Sequence, residues 1–179
     1  MTDSCGIVYI ATGERFIEEF RESVRSVNDV MPSVPVVLFT DEDVESPYVD
    51  DVRIIDDPRY DYLDKAAHLA DTPFDCTLFL DTDTYVTDDV SELFTILDEH
   101  DVSAAHAPLG ISTELDVPES YPEFNTGVIA YRQTEAVREM ISTWYEIGDG
   151  GTRYATRPAV IPESRLRERP PGSNVTNTV

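Results

Sequence analysis

The stretch CTLFLDTDTYV, residues 76–86, carries the strongest strand signal in this 179-residue chain. Its first half is almost continuously apolar, the pattern of a strand buried on both faces of a sheet. Polar residues interrupt its far end, where Asp81 and Asp83 stand two positions apart. Side chains alternate along a strand, so this spacing predicts both carboxylates on one face.

The segments around it alternate between apolar runs and amphipathic ones. Upstream, GIVYIA (6–11), PVVLFTD (35–41) and VRIID (52–56) read as short buried strands. Between the first two, Phe16, Ile17, Phe20, Val24 and Val27 fall at helical spacings over residues 14–30. Leu63, Ala66, Ala67 and Ala70 predict a helix over 60–71, closed by Thr72-Pro73. Downstream, Asp88 or Asp89 is the expected cap of a helix carrying Val90, Leu93, Phe94, Ile96 and Leu97. VSAAHA (102–107) is a weaker strand, and residues 108–123, with three Pro, one Gly and many acids, read as a loop. FNTGVIAYR (124–132) is a strand with a Gly inside it, and Val137, Met140, Ile141 and Trp144 predict a helix over 134–147. Strands separated by helices describe an α/β fold, here a three-layer sandwich around a mostly parallel mixed sheet. In such sheets ligands bind beyond the carboxyl ends of the strands. That rule directs attention to Thr12 and Gly13, Asp41, Asp81 to Asp83, and His106.

Charge narrows the partners. The chain has 36 acidic and 13 basic side chains, a formal net charge of −23, and a single lysine, Lys65. Such a surface argues against sequence-independent binding to nucleic acid and against anionic membranes, both of which need basic residues. It suits a halophilic protein of a salt-rich cytoplasm, where ions screen the self-repulsion. No run is long enough to span a bilayer and the N-terminus shows no secretory pattern, so a cytoplasmic location is the expectation. The imbalance is uneven: residues 151–179 hold five Arg against Glu163 and Glu168, whereas the first 150 residues hold 8 basic and 34 acidic groups. Residues 1–149 therefore read as one domain and 150–179 as an atypical, poorly structured or degenerate segment. Cys5 and Cys76 lie beside apolar runs and make neither a metal set nor a disulfide framework, so buried free thiols are expected.

Two carboxylates side by side at a strand end repel each other, and a hard divalent cation with oxygen ligands relieves that repulsion. Such a cation also bridges to phosphate oxygens, which lets a strongly acidic protein hold an anionic nucleotide. The plain alternative is a solvated acidic strand end in a chain rich in acids.

Five stretches taken in order make the chain resemble a known family. VYIATG is similar to a first nucleotide-binding strand and PVVLFTD to the second. Lys65 stands sixteen residues before Asp81. LFLDTDTYVTDDVSELF is similar to a D-x-D segment with its following helix, and FNTGVIAYR to an F-N-[ST]-G-V strand. Together they resemble the GT-A glycosyltransferases, in particular the glycogenin and lipopolysaccharide-galactosyltransferase-like group, over about residues 6–147. The resemblance implies that Asp81 and Asp83 hold Mn2+ or Mg2+, which bridges the diphosphate of a nucleoside-diphosphate sugar. It implies that Ala11, Thr12 and Gly13 line the base and ribose, with Asp41 nearby at the second strand end. Lys65 would reach the phosphates or the donor sugar, and Asn125 and Gly127 would face the sugars. Each has a plainer reading: Gly13 as a strand end, Lys65 as a surface ion pair with Asp61 or Asp64, and Asn125-Thr126-Gly127 as an interior strand with a bulge.

The resemblance weakens after residue 147. Gly148-Asp149-Gly150 keeps the Asp of the group's Asp-Gln pair and loses the Gln, so Asp149 is the candidate catalytic contact to the sugar. Arg169-Pro170-Pro171-Gly172-Ser173-Asn174 only faintly resembles a later turn. His100 and His106 lie too early for the group's metal-binding His, and His68 lies upstream of the D-x-D. A C-terminally truncated or degenerate member is therefore the expectation.

Two further patterns compete for the acidic segment. DTDT also fits the nucleophile motif of haloacid-dehalogenase-type phosphatases, with Asp81 as nucleophile and Asp83 as acid/base. That chemistry needs a downstream Lys, and none follows position 65. A calcium loop counted from Asp81 fails because Val86 stands where the loop requires Gly. Asn174-Val175-Thr176 matches a glycosylation acceptor pattern, and with no secretory pattern visible a chance match is the expectation. The sequence thus leads to a metal-dependent transferase moving a sugar from a nucleoside-diphosphate donor to a sugar, lipid or protein acceptor. A non-catalytic nucleotide-sugar-binding protein is the alternative.

Overall fold

The structure, a computed structural model, describes residues 3–106 and 124–149. The expected loop over 108–123 and the segment 150–179 lie outside the described residues.

The elements run β1 (Cys5–Ala11), α1 (Glu14–Val30), β2 (Val36–Thr40), β3 (Asp51–Ile54), α2 (Leu63–His68), β4 (Cys76–Leu80), α3 (Glu92–Ile96), β5 (Val102–His106), β6 (Phe124–Arg132) and α4 (Glu135–Asp149). They build one six-stranded sheet in the order β3-β2-β1-β4-β6-β5. The first four strands in that order are parallel, and β6 runs antiparallel to both β4 and β5. The mostly parallel mixed sheet expected from the pattern is the one observed.

Strand alternation decides the layers. Ile7, Tyr9 and Ala11 of β1, Leu38 of β2 and Leu78 and Leu80 of β4 face one way and pack with Ile17, Phe20, Val24 and Val27 of α1 and with Leu97 after α3. Val8, Val37, Phe39, Phe79, Ile129 and Tyr131 face the other way, against Ala66 of α2 and Val137, Ile141 and Trp144 of α4. Each such side chain taken out of water contributes about 1.5–3 kcal/mol, which chain entropy largely offsets. Tyr9 is fully buried and keeps its polar tip satisfied by bonding Ser23 at 2.8 Å, while its ring meets Phe20 edge-on at 5.0 Å.

The two crossovers that carry a helix travel in opposite directions along the sheet, β1 to β2 one way and β3 to β4 the other. Right-handed connections then place α1 and α2 on opposite faces and leave a crevice beyond the carboxyl ends of β1 and β4.

Several boundaries differ from the sequence reading, each for a local reason. The helix expected over 60–71 begins only at Leu63, because Tyr60 takes a left-handed backbone (φ 59°); a 3-10 turn over Leu69–Asp71 follows it. The strand expected over 76–86 stops at Leu80, where the Thr84 N–H turns back to the Asp81 carbonyl at 3.0 Å. The following helix begins at Glu92 rather than at Asp88 or Asp89, whose carboxylates instead accept the Asp89 and Ser91 N–H groups at 2.8 Å each. Cys76 is buried as expected, whereas its neighbour in register, Cys5, is only partly so.

Candidate functional site

The site assembles where β1, β2 and β4 end. The chain leaves β1 through Thr12 and Gly13. Gly13 has φ 88°, a conformation that disfavours any side chain, and its N–H donates to Asp41 Oδ1 at 2.8 Å across the end of β2. Ala11 and Thr12 are buried, so they support this loop from beneath and Gly13 is what the surface presents. The Thr12 hydroxyl donates to Asp64 Oδ2 at 2.7 Å.

Asp64 is the residue that the sequence did not distinguish from its acidic neighbours. Only 4% exposed, it accepts three hydrogen bonds, from Thr12 and from the backbone N–H groups of Arg59 (2.8 Å) and Tyr60 (2.9 Å). It thereby ties the end of β1 to the turn before α2. The Asp41 carboxylate lies close to the Tyr60 phenol and is the chief reason that phenol holds its proton more tightly than usual.

At the end of β4 the expected pair of carboxylates is present, but a turn rather than strand alternation places it. The Asp81 N–H donates to the Gly127 carbonyl at 2.8 Å, the last rung of the sheet. Thr82 turns inward, buried, and donates to Glu19 on α1 at 3.2 Å. Asp83, exposed, lies near enough to Asp81 for the two charges to repel. Burial pushes the Asp81 carboxyl above its ordinary range; Lys65 pulls it down and Asp83 adds to the rise.

Lys65 points from α2 into this corner. Its ammonium lies 2.5 Å from Asp81 Oδ1, donates to the Thr126 carbonyl at 3.1 Å and sits 5.0 Å above the centre of the Phe79 ring. The Lys65 side chain is 14% exposed and that of Asp81 34%, so the pair is screened from water on one side only. It is not the surface pair with Asp61 or Asp64 that the spacing had left open.

Gly127 and Asn125 are brought to the same place. A methyl group at Gly127 would stand 3.2 Å from Asp81 Oδ2, so the bare backbone makes room for that carboxylate. The Asn125 side-chain oxygen accepts the Gly127 N–H at 2.7 Å. Asp149 ends α4 and forms an ion pair at 2.5 Å with Arg59, the residue before Tyr60. His106 packs edge-on against Phe124 at 5.4 Å. Among the described residues, no group of three or more His, Cys, Asp or Glu stands ready to hold a metal unaided.

No family model and no curated protein matches this sequence. Solved structures do match its fold. The glycosyltransferase GlyE of Streptococcus pneumoniae TIGR4 superposes with a TM-score of 0.64 at 16% identity, over 88% of this chain and 42% of that one. The galactosyltransferase LgtC, solved with donor and acceptor sugar analogs, gives 0.55 at 18% identity over 83% of this chain and 66% of that one. The bifunctional glycosyltransferase WbbM gives 0.56 at 13% identity over 82% and 35%. This chain therefore spans between about a third and two thirds of those proteins' length. The likeness shows the GT-A type of α/β fold. Among the described residues, no helix is long and apolar enough to cross a membrane.

Proposed function

We propose that this chain binds a nucleoside-diphosphate sugar with Mn2+ or Mg2+ and serves a glycosyltransferase reaction on a sugar, lipid or protein acceptor. The observation that carries this reading is the corner at the end of β4. There two carboxylates, one lysine and a bare glycine converge on a fold that this chain shares with glycosyltransferases. The donor set fits a hard cation. Asp81 and Asp83 offer only oxygen, and Mg2+-type ions are commonly held by one or two carboxylates together with substrate phosphates and water. That matches a site with two carboxylates and no third protein ligand among the described residues. A bound cation would supply Lewis-acid stabilisation to a departing diphosphate.

The chain's own residues have separate tasks. Lys65, paired with Asp81 and lying beside the crevice, offers a point charge to phosphate oxygens. Gly13 lets the backbone approach a ligand closely, and the Asp41 carboxylate, holding the Gly13 N–H, keeps that loop in place. Asn125 holds the Gly127 N–H and so fixes the first residues of β6 where the bare Gly127 leaves room for Asp81.

Calorimetric titration of UDP- and GDP-sugars with and without Mn2+, on the parent chain and on Asp83→Ala, tests the reading. Binding is expected with Mn2+ and is expected to be lost in the variant. Binding indifferent both to metal and to Asp83 would defeat it. Binding without sugar transfer would leave the non-catalytic alternative, and hydrolysis of simple phosphate esters would return the phosphatase.

A further inference from the structure

We infer that Tyr60 is the platform on which the base of the nucleotide stacks, a role that rests on the donor reading above. Among the described residues, Tyr60 is the only non-glycine residue with positive φ, at 59°. For an aromatic residue that backbone is costly, and such strain persists only where the surroundings over-determine it. Here they do. Asp64, buried, takes the Arg59 and Tyr60 N–H groups, and the Leu63 N–H closes the turn onto Asp61 at 2.8 Å.

The strained backbone does not bury the ring. Tyr60 remains 60% exposed, the most open aromatic residue near the strand ends apart from Tyr85. Yet the ring is not free to wander. One edge of it lies against Gly13, where an added methyl group would stand 3.4 Å from the ring, and the Asp41 carboxylate lies close enough to tighten the phenol's hold on its proton. Backbone and edge are both fastened, and most of the residue is left to solvent beside the ends of β1 and β2. A rigid aromatic ring presented to water, next to the glycine that permits close backbone approach, is the form of a stacking surface. Every nucleobase has a π-face to offer it, and such stacking strengthens binding by about ten- to a hundredfold. The phosphates would then run from this end of the crevice toward Asp81 and Lys65, the latter on α2, which follows the Tyr60 turn directly.

The test compares a ligand that has a base with one that lacks it. UDP, GDP, ADP and CDP are titrated calorimetrically with Mn2+ into the parent chain, the tightest is kept, and inorganic pyrophosphate with Mn2+ is the baseless control. Tyr60→Ala is expected to weaken the chosen nucleotide by about ten- to a hundredfold and to leave pyrophosphate within about twofold. Tyr60→Gly, which accepts the left-handed backbone without strain, is expected to lose the same factor. Tyr60→Phe keeps the ring and is expected to retain most of the affinity. Nucleotide binding undiminished in Tyr60→Ala and Tyr60→Gly would overturn the proposal while the donor reading stands. An equal loss of pyrophosphate would overturn it too, as damage to the loop. A parent chain that binds no nucleotide would overturn the donor reading, and this role with it.

Discussion

A methyl group added at Gly127 would lie 3.2 Å from Asp81 Oδ2 and 3.1 Å from the Asn125 oxygen, closer than side chains usually tolerate. The rung beneath, from the Asp81 N–H to the Gly127 carbonyl, holds both backbones in place, so the carboxylate must give way. We expect Gly127→Ala to displace it by a few tenths of an ångström and to weaken Mn2+-dependent UDP binding on the order of tenfold. The melting temperature should change little, because no core side chain is touched. A variant that binds as tightly as the parent would show that Asp81 is not held where the ligand needs it. Lys65 offsets part of the negative charge of the same corner. Without it, Asp81 would lose its ion-pair partner while still feeling the charge of Asp83, in a chain that has no other lysine.

Asp64 acts between elements. Its two oxygens collect a hydroxyl from the end of β1 and two backbone N–H groups from the turn before α2. Asn in its place would present an NH2 group to donors on one side. Hydrogen bonds to a charged acceptor are worth about 1.5–3 kcal/mol, and a buried donor left unpaired costs a similar amount. We therefore expect Asp64→Asn to destabilise the fold by about 2 kcal/mol. That is a fall of about 4–8 °C in Tm for a chain of this size. Differential scanning calorimetry reads it directly, and a shift under about 1 °C would mean that the turn is held by other contacts. In sequence the same residue is one acid among several in YDYLDKAAH; only the backbone it serves sets it apart.

For the whole molecule the governing quantity is net charge. With −23 on 179 residues, the acids repel one another across the surface, and the exposed ion pairs offset little of this. Raising KCl from about 0.1 M to 1 M shortens the screening length from about 10 Å to about 3 Å. Screening weakens the pairs as well, but each exposed pair is worth at most about 1 kcal/mol, and the acids outnumber the bases almost threefold. The repulsion is the larger loss, so Tm is expected to rise by several degrees over that range. A Tm that falls with added KCl would show that attractive pairs dominate.

The order of elements, the sheet class and most residues of the candidate site were legible in the amino-acid sequence. Apolar periodicity is a local property and survives without coordinates: α1 was expected over 14–30 and spans Glu14–Val30. The D-x-D pair and Asn125-Thr126-Gly127 were visible as residue types at strand ends, and Lys65 as the single lysine on a helix. What the sequence could not determine is how their side chains are shared out. Asp81 and Asp83 are neighbours because a turn closes at Thr84, not because a strand continues through them. Lys65 chooses Asp81 over the nearer Asp61 and Asp64 because α2 packs on the face of the sheet toward which Phe79 and Asp81 point. Tyr60 and Asp64 acquired meaning only with the fold. A left-handed backbone and a buried carboxylate with three donors are facts about long-range neighbours, and no local pattern of polarity encodes them.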